Sequence, residues 1–190
     1  MSKLGGIKFL LKYIKNPTSV GAVLPSSKHL ARKMVRPINF ESAECIVEYG
    51  PGTGVFTEEL LLKRKNNTLL ILIEKDIAFY NILTEKYSGL RNVRIYNESA
   101  ENVESILLEN GFEKASYIIS GLPFASLPKI LSKNILEATT KTLSDSGEFI
   151  TFQYTKIKLD LFRDYFKILP LVREIRNVPP AFVVRCCQKY

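Results

Sequence analysis

The sequence predicts an α/β protein with a doubly wound, mostly parallel sheet, and three observations lead there. From Cys45 onward, short apolar runs alternate with longer mixed stretches, as repeated strand–helix crossovers require. Residues 68–74 (TLLILIE) are apolar up to their final acid, with no polar alternation. A strand buried on both faces of a parallel sheet reads this way. Residues 50–54 (GPGTG) follow an apolar strand directly and open a helix.

The elements follow in order. Residues 3–15 (KLGGIKFLLKYIK) read as a helix despite Gly5 and Gly6. On it Lys8, Lys12 and Lys15 fall within roughly 60° of one another, and a wide apolar face fills the rest. Asn16-Pro17 stops it. A loop covers 17–27, where Ser26 or Ser27 caps a second basic helix running to about Val35. Strand 45–49 (CIVEY), the glycine turn and a helix over 55–65 come next. Strand 68–74, a helix over 76–87 capped by Asp76, and strand 93–96 follow. A helix over 101–110, strand 116–120, a helix from Pro128 and strand 148–154 complete the crossovers. After a short helix over 157–166, strands 168–175 and 181–188 are joined by Asn177-Val178-Pro179-Pro180 and form an antiparallel hairpin. The whole, 1–190, reads as one domain: a basic helical arm over 1–40 and an α/β core over 41–190.

At 46% hydrophobic and 24% charged, the composition is that of a soluble globular chain. No run of 18 apolar residues exists to span a bilayer, and the N-terminus lacks the pattern of a secretory leader. Cys45, Cys186 and Cys187 are an odd count with an adjacent pair, which gives no disulfide framework and points to a reducing cytoplasm. The adjacent cysteines and the single His29 offer no metal-ligand spacing. The net charge of +8 lies wholly in the first 40 residues, which hold eight bases and no acid; the remaining 19 bases and 19 acids cancel. Such asymmetry calls for an anionic partner, nucleic acid or a lipid surface.

The chemistry concentrates after the first strand. Gly50, Gly52 and Gly54 are spaced G-x-G-x-G, with Pro51 and Thr53 between them. A Cβ there would block both the tight turn and close approach of a ligand. Glu48 at the strand end can meet a ligand's ammonium group. Glu74 stands twenty residues past Gly54, at the tip of the second strand, with Lys75 beside it. An acid there holds ribose hydroxyls; the alternative is an acid complementing a helix dipole.

These motifs resemble class I S-adenosyl-L-methionine-dependent methyltransferases from Ile46 to the C-terminus. The resemblance narrows at Asn16-Pro17 with Val20–Ser27 (VGAVLPSS), at residues 120–128 (SGLPFASLP) and at 177–181 (NVPPA), which look like bacterial phospholipid N-methyltransferases. It implies a Rossmann-like, seven-stranded sheet ending in the antiparallel hairpin, with S-adenosyl-L-methionine as cofactor. It also implies methyl transfer to the amine of phosphatidylethanolamine and its methylated forms, on the inner face of the cell membrane. The basic N-terminal helix would then lie on anionic lipid through Lys8, Lys12 and Lys15, or pack on the sheet as a lid.

By the same resemblance Ser99 falls where an acid usually holds the adenine amino group, with Ala100 after it. Gly121, after the cofactor-binding candidate Ser120, stands where the sibling ribosomal RNA adenine dimethyltransferases carry an Asn that recognises the target amine. Gly121 has no side chain for that task, which favours a flexible primary amine over a flipped base. Backbone carbonyls of Ser120 and Gly121 remain as acceptors. Phe124 either faces a methylammonium cation or is a core aromatic after a rigid turn. Tyr154 either stabilises the cation and relays a proton or packs as a strand aromatic. The alternatives to a lipid acceptor are ribosomal RNA adenine, with the basic arm on phosphates, and another small amine.

Overall fold

The computed structural model describes residues 27–155 and 159–189. The helix expected over 3–15, with Lys8, Lys12 and Lys15, lies outside them. The helices are α1 (Lys28–Val35), α2 (Val55–Lys63), α3 (Ile77–Tyr87), α4 (Val103–Glu109), α5 (Lys129–Thr142) and α6 (Leu159–Arg163). The strands are β1 (Cys45–Tyr49), β2 (Leu69–Ile73), β3 (Val93–Tyr96), β4 (Ala115–Ser120), β5 (Leu143–Gln153), β6 (Lys167–Ile168), β7 (Val172–Glu174) and β8 (Ala181–Cys187).

They form one sheet in the order β3-β2-β1-β4-β5-β8-β6, with β7 also on β8. The first five strands are parallel and β8 runs antiparallel to β5. Every residue of β1 and β2 is buried, because both faces are covered. On one face Ile46, Leu70 and Leu72 pack with Leu30 and Met34 of α1, Phe56 and Leu60 of α2, and Leu83 of α3. On the other, Val47, Tyr49 and Ile71 pack with Val103, Ile135, Leu136 and Phe162. Each Leu or Ile so buried contributes about 2 kcal/mol of transfer free energy.

The sequence predicts one strand over 168–175, but the structure divides it. Ile168 pairs with Cys186, whereas Val172 pairs with Val183, so four steps along one strand face three along the other. Pro170 lies in the gap and has no N–H to give a ladder; Leu169 N bonds the Arg185 carbonyl at 2.9 Å. The helix expected over 101–110 begins instead as a 3-10 turn, Ala100–Asn102, ahead of α4.

Helix α1 belongs to the packed body. Leu30, Ala31, Met34 and Val35 are fully buried. Its cap Ser27 accepts from Leu30 N at 3.1 Å, while Ser27 N donates to Asn177 Oδ1 at 3.0 Å. Lys33 Nζ lies 3.5 Å from the buried Glu174. No helix among the described residues is long and apolar enough to cross a membrane.

Candidate functional site

The parallel strands end together at one edge, and the chemistry-bearing loops gather there. The turn after β1 runs through the left-handed region, with φ of 59° at Gly50, 57° at Gly52 and 87° at Gly54. A Cβ on Gly50 would strike Leu122 Cδ2 at 2.7 Å, and one on Gly54 would strike Tyr87 Oη at 2.8 Å. Gly52 faces open space, with nothing within 4 Å. The bend is tight against the protein and open at its crest.

Glu74 follows β2 and holds this bend. It is 7% exposed. Its Oε2 accepts from Gly52 N at 3.0 Å and its Oε1 from Asp76 N at 2.9 Å. Burial pushes its carboxyl above the ordinary range, against the pull of these N–H donors. Each oxygen keeps a lone-pair direction for another donor. Asp76 caps α3, accepting from Ala78 N and Phe79 N, so the helix-dipole role falls to Asp76. Lys75 is exposed; its carbonyl and that of Glu74 accept from Asn97 Nδ2 at 3.1 and 2.9 Å.

Glu48 is fully buried in β1. Its Oε2 accepts from Thr57 Oγ1 at 2.7 Å, and its Oε1 has no partner among the described residues. Burial pushes it up to about 8, and the neighbouring Glu74 adds to that. A buried carboxyl oxygen without a donor leaves a place for a cationic donor from a ligand. Tyr87 Oη, over Gly54, is likewise buried without a partner.

A family model described as ribosomal RNA adenine dimethylase matches residues 15–156. The chain belongs to that family. It is an S-adenosyl-L-methionine-dependent methyltransferase of the class I fold. The family has more than one acceptor among its relatives. Ornithine lipid N-methyltransferase of Singulisphaera acidiphila is 32% identical over 180 residues, 94% of this chain and 93% of that protein. Ribosomal RNA small subunit methyltransferase A of Sulfurihydrogenibium sp. is 32% identical over 143 residues, 75% of this chain. The chain spans only 52% of that longer protein. In fold it matches the N-methyltransferase NodS of Bradyrhizobium japonicum WM9, with a TM-score of 0.68 and 10% identity over 86% of this chain and 96% of that one.

The bend and its acids fit the family's cofactor. The open crest at Gly52 admits a ligand, Glu74 has lone pairs for hydroxyl donors, and Glu48 has an unpaired oxygen for an ammonium.

The SGLPF segment packs closely against the core and the glycine bend. Phe124 is 1% exposed. Its ring meets Phe162 at 5.3 Å and Phe149 at 6.2 Å, both edge to face. The Pro123 turn swings it into the core, so it presents no ring to a substrate. Ser120 is also fully buried. Its hydroxyl accepts from Leu122 N at 3.2 Å and its carbonyl from Thr151 Oγ1 at 3.3 Å, and both bonds shape the turn. Gly121 N donates to the Tyr49 carbonyl at 2.8 Å, and a Cβ on Gly121 would lie 2.6 Å from the Gly50 carbonyl oxygen. The absence of a side chain there has a steric cause.

Tyr154 directly follows β5, packed edge to face on Phe152 at 5.5 Å. Burial raises its phenol above the ordinary value, and the Asn177 side chain hydrogen-bonded to it pulls the other way. A phenol so placed keeps its proton near neutrality. Ser99 caps the 3-10 turn, and its Oγ donates to Glu101 Oε2 at 2.9 Å. Glu101 Oε1 accepts from Asn134 Nδ2 at 2.8 Å. Ala100 is buried behind Ser99. The sequence reading missed Thr57, Tyr87, Asn97 and Glu101. Only Glu101, two residues from Ser99 on the same turn, carried a signal.

Proposed function

We propose that the chain N-methylates a primary amine on the headgroup of a membrane lipid, working at the inner face of the cell membrane. The observation that carries this is Gly121. The backbone of Gly50 occupies the space a recognition side chain would need, so the site offers an amine backbone acceptors instead of an amide. Phosphatidylethanolamine and an ornithine headgroup share that primary amine, and the methylated forms of phosphatidylethanolamine carry the secondary or tertiary amine that earlier rounds leave; the ornithine lipid relative supports the ornithine headgroup.

The bound cofactor supplies a methyl group already activated on a sulfonium. Glu74 accepts from the ribose hydroxyls with its remaining lone pairs, and the glycine bend lets backbone approach them. Glu48 takes the α-ammonium on Oε1. Lys75 lines the outer edge of this slot. Ser99 and Ala100 flank the adenine. Because Ser99 gives its proton to Glu101, its oxygen lone pairs face outward and accept from the adenine amine. The acceptor must arrive as the neutral amine, a minor fraction near neutrality. The Gly121 carbonyl accepts one of its N–H groups and turns the lone pair toward the methyl. The amine nitrogen would take up the bound cofactor's methyl with loss of the carbon–sulfur bond, and the amine's proton would leave at the site's mouth. Positioning is the main contribution of the protein.

The Ser99–Glu101 pair makes a checkable specificity. Glu101→Gln has an amide that donates to Ser99 and frees the Ser99 proton to point at the base. Calorimetry with S-adenosylhomocysteine and its 6-oxo inosyl counterpart should show the wild type favouring the adenine ligand by about tenfold. The variant should lose that preference. An unchanged ratio would exclude Ser99 from the adenine contact.

The reading is tested by methyl transfer from labelled cofactor to vesicles containing phosphatidylethanolamine or ornithine lipid, each assayed separately by lipid chromatography. Label in either lipid supports it and names the headgroup; label in neither overturns it. A second reading, methylation of ribosomal RNA adenine, draws on the family description and on the rRNA relatives. The basic arm suits phosphates of either kind.

A further inference from the structure

We propose that the tip of the β7–β8 hairpin, residues 175–180, docks on an anionic bilayer and seats the mouth of the site against it; this rests on the lipid-amine reading above. Position comes first. Gln153, at the carboxyl end of β5, pairs with Phe182, and Glu174 pairs with Ala181. The tip that joins β7 to β8 therefore projects from the edge where β1, β4 and β5 deliver the glycine bend, Gly121 and Tyr154. A lipid whose headgroup enters that edge brings the bilayer surface to the hairpin.

The tip has the side chains such a surface takes. Ile175 is 69% exposed and Val178 76%, followed by the exposed Pro179 and Pro180. Their exposure is built in. Asn177 between them is 2% exposed; its Nδ2 donates to the Pro179 carbonyl at 2.8 Å and its Oδ1 accepts from Ser27 N at 3.0 Å. A buried amide that pins the turn from inside forces its apolar neighbours outward.

The charge around the tip is of one sign. Arg173 and Lys28 are exposed, and Arg176 is 61% exposed. The single acid of residues 165–190 is Glu174, which is buried and paired with Arg176 and Lys33. An apolar prow rimmed by Arg and Lys, on a hairpin with no exposed acid among its described residues, matches a negative interface. The Ser27–Asn177 bond also ties the start of α1, with its exposed Lys28, to this tip.

The sequence contains no tryptophan, so Val178→Trp in the full chain places a single reporter at the tip. Vesicles of phosphatidylethanolamine with about 30 mol% phosphatidylglycerol should shift its emission to the blue. Brominated acyl chains should quench it, and vesicles without anionic lipid should do neither. Emission unmoved by anionic vesicles overturns the proposal. So does emission already blue-shifted without lipid, which would mean that residues 1–26 or a second copy cover the tip. The Ile175→Ser, Val178→Ser variant should lose about tenfold in vesicle partition for each side chain withdrawn, with S-adenosylhomocysteine affinity unchanged. Two results separate this proposal from the lipid-amine reading. If the wild type methylates vesicle lipid and the double variant does so with the same KM, the docking role falls alone. If the Trp reporter docks but no lipid is methylated, the acceptor reading falls alone.

Discussion

Glu48→Gln is expected to weaken S-adenosylhomocysteine binding by more than about 100-fold, the loss typical of a charged partner in a buried hydrogen-bonded pair, while stabilising the unliganded protein near neutral pH. Both effects come from one buried carboxyl. Glu48 is raised from 4.5 to about 8, chiefly by burial. Between those values the folded protein holds a proton that the unfolded chain releases. Stability from this group is therefore complete below 4.5, falls by about 1.4 kcal/mol per pH unit through the window, and is lost once the pH passes 8. Glutamine is neutral throughout and removes that slope. At pH 7 the unliganded variant should gain on the order of 2 kcal/mol, some of the benefit being lost to an unpaired amide N–H.

Binding has the opposite dependence. An α-ammonium needs the ionised carboxylate, so the ligand expels the Glu48 proton at any pH below 8. Affinity should climb about tenfold per unit toward pH 8 and then level. Calorimetry in buffers of different ionisation enthalpy should find nearly one proton released at pH 7, and none for Glu48→Gln. Glu74 also faces this carboxyl and is coupled to it, whereas Tyr87, pushed up to about 12, keeps its proton through this window. A wild-type affinity flat across pH 6 to 8 would show that Glu48 does not meet the ammonium.

Gly121→Asn restores the amide that the RNA-modifying siblings use, yet it should impair the protein without conferring their activity. The new Cβ would meet the Gly50 carbonyl oxygen at 2.6 Å. Both groups are backbone-borne, so the glycine bend itself must move. The expected cost is about 2–3 kcal/mol of stability. Cofactor affinity should fall at least tenfold as the bend loses its register with Glu74. Gly121→Ala should do nearly as much damage, because the clash belongs to the Cβ and not to the amide. Chemical denaturation and calorimetry would check both. A Gly121→Asn protein with normal cofactor affinity and new label in ribosomal RNA would reverse the acceptor assignment.

Much of this was legible from residue order. An apolar strand, three spaced glycines and an acid twenty residues on require no packing detail to be read. The doubly wound sheet follows from β2, whose five apolar residues serve both faces. Burial was less legible. Phe124 follows a Pro in a loop-like segment and reads equally as a ring offered to a ligand or as a core aromatic. It is core only because the turn at Pro123 returns it to Phe149 and Phe162. Glu48 at the strand end reads as a partner for an ammonium, but its unpaired oxygen depends on Thr57 reaching the other oxygen from the next helix. The Ser99–Glu101 bond needed the 3-10 turn, and the break at Pro170 needed the register of β8. The pattern thus marks which residue types are present. Side-chain direction, which decides between the two alternatives for Phe124, is set by contacts distant in sequence.

The most direct test of the account is a competition. The full chain would be given limiting labelled S-adenosyl-L-methionine in one reaction holding both anionic vesicles with an aminolipid and ribosomal small subunits lacking adenine dimethylation. The account predicts that the label is recovered in the lipid extract. Label concentrated in the ribosomal RNA, with the lipid left blank, would contradict it.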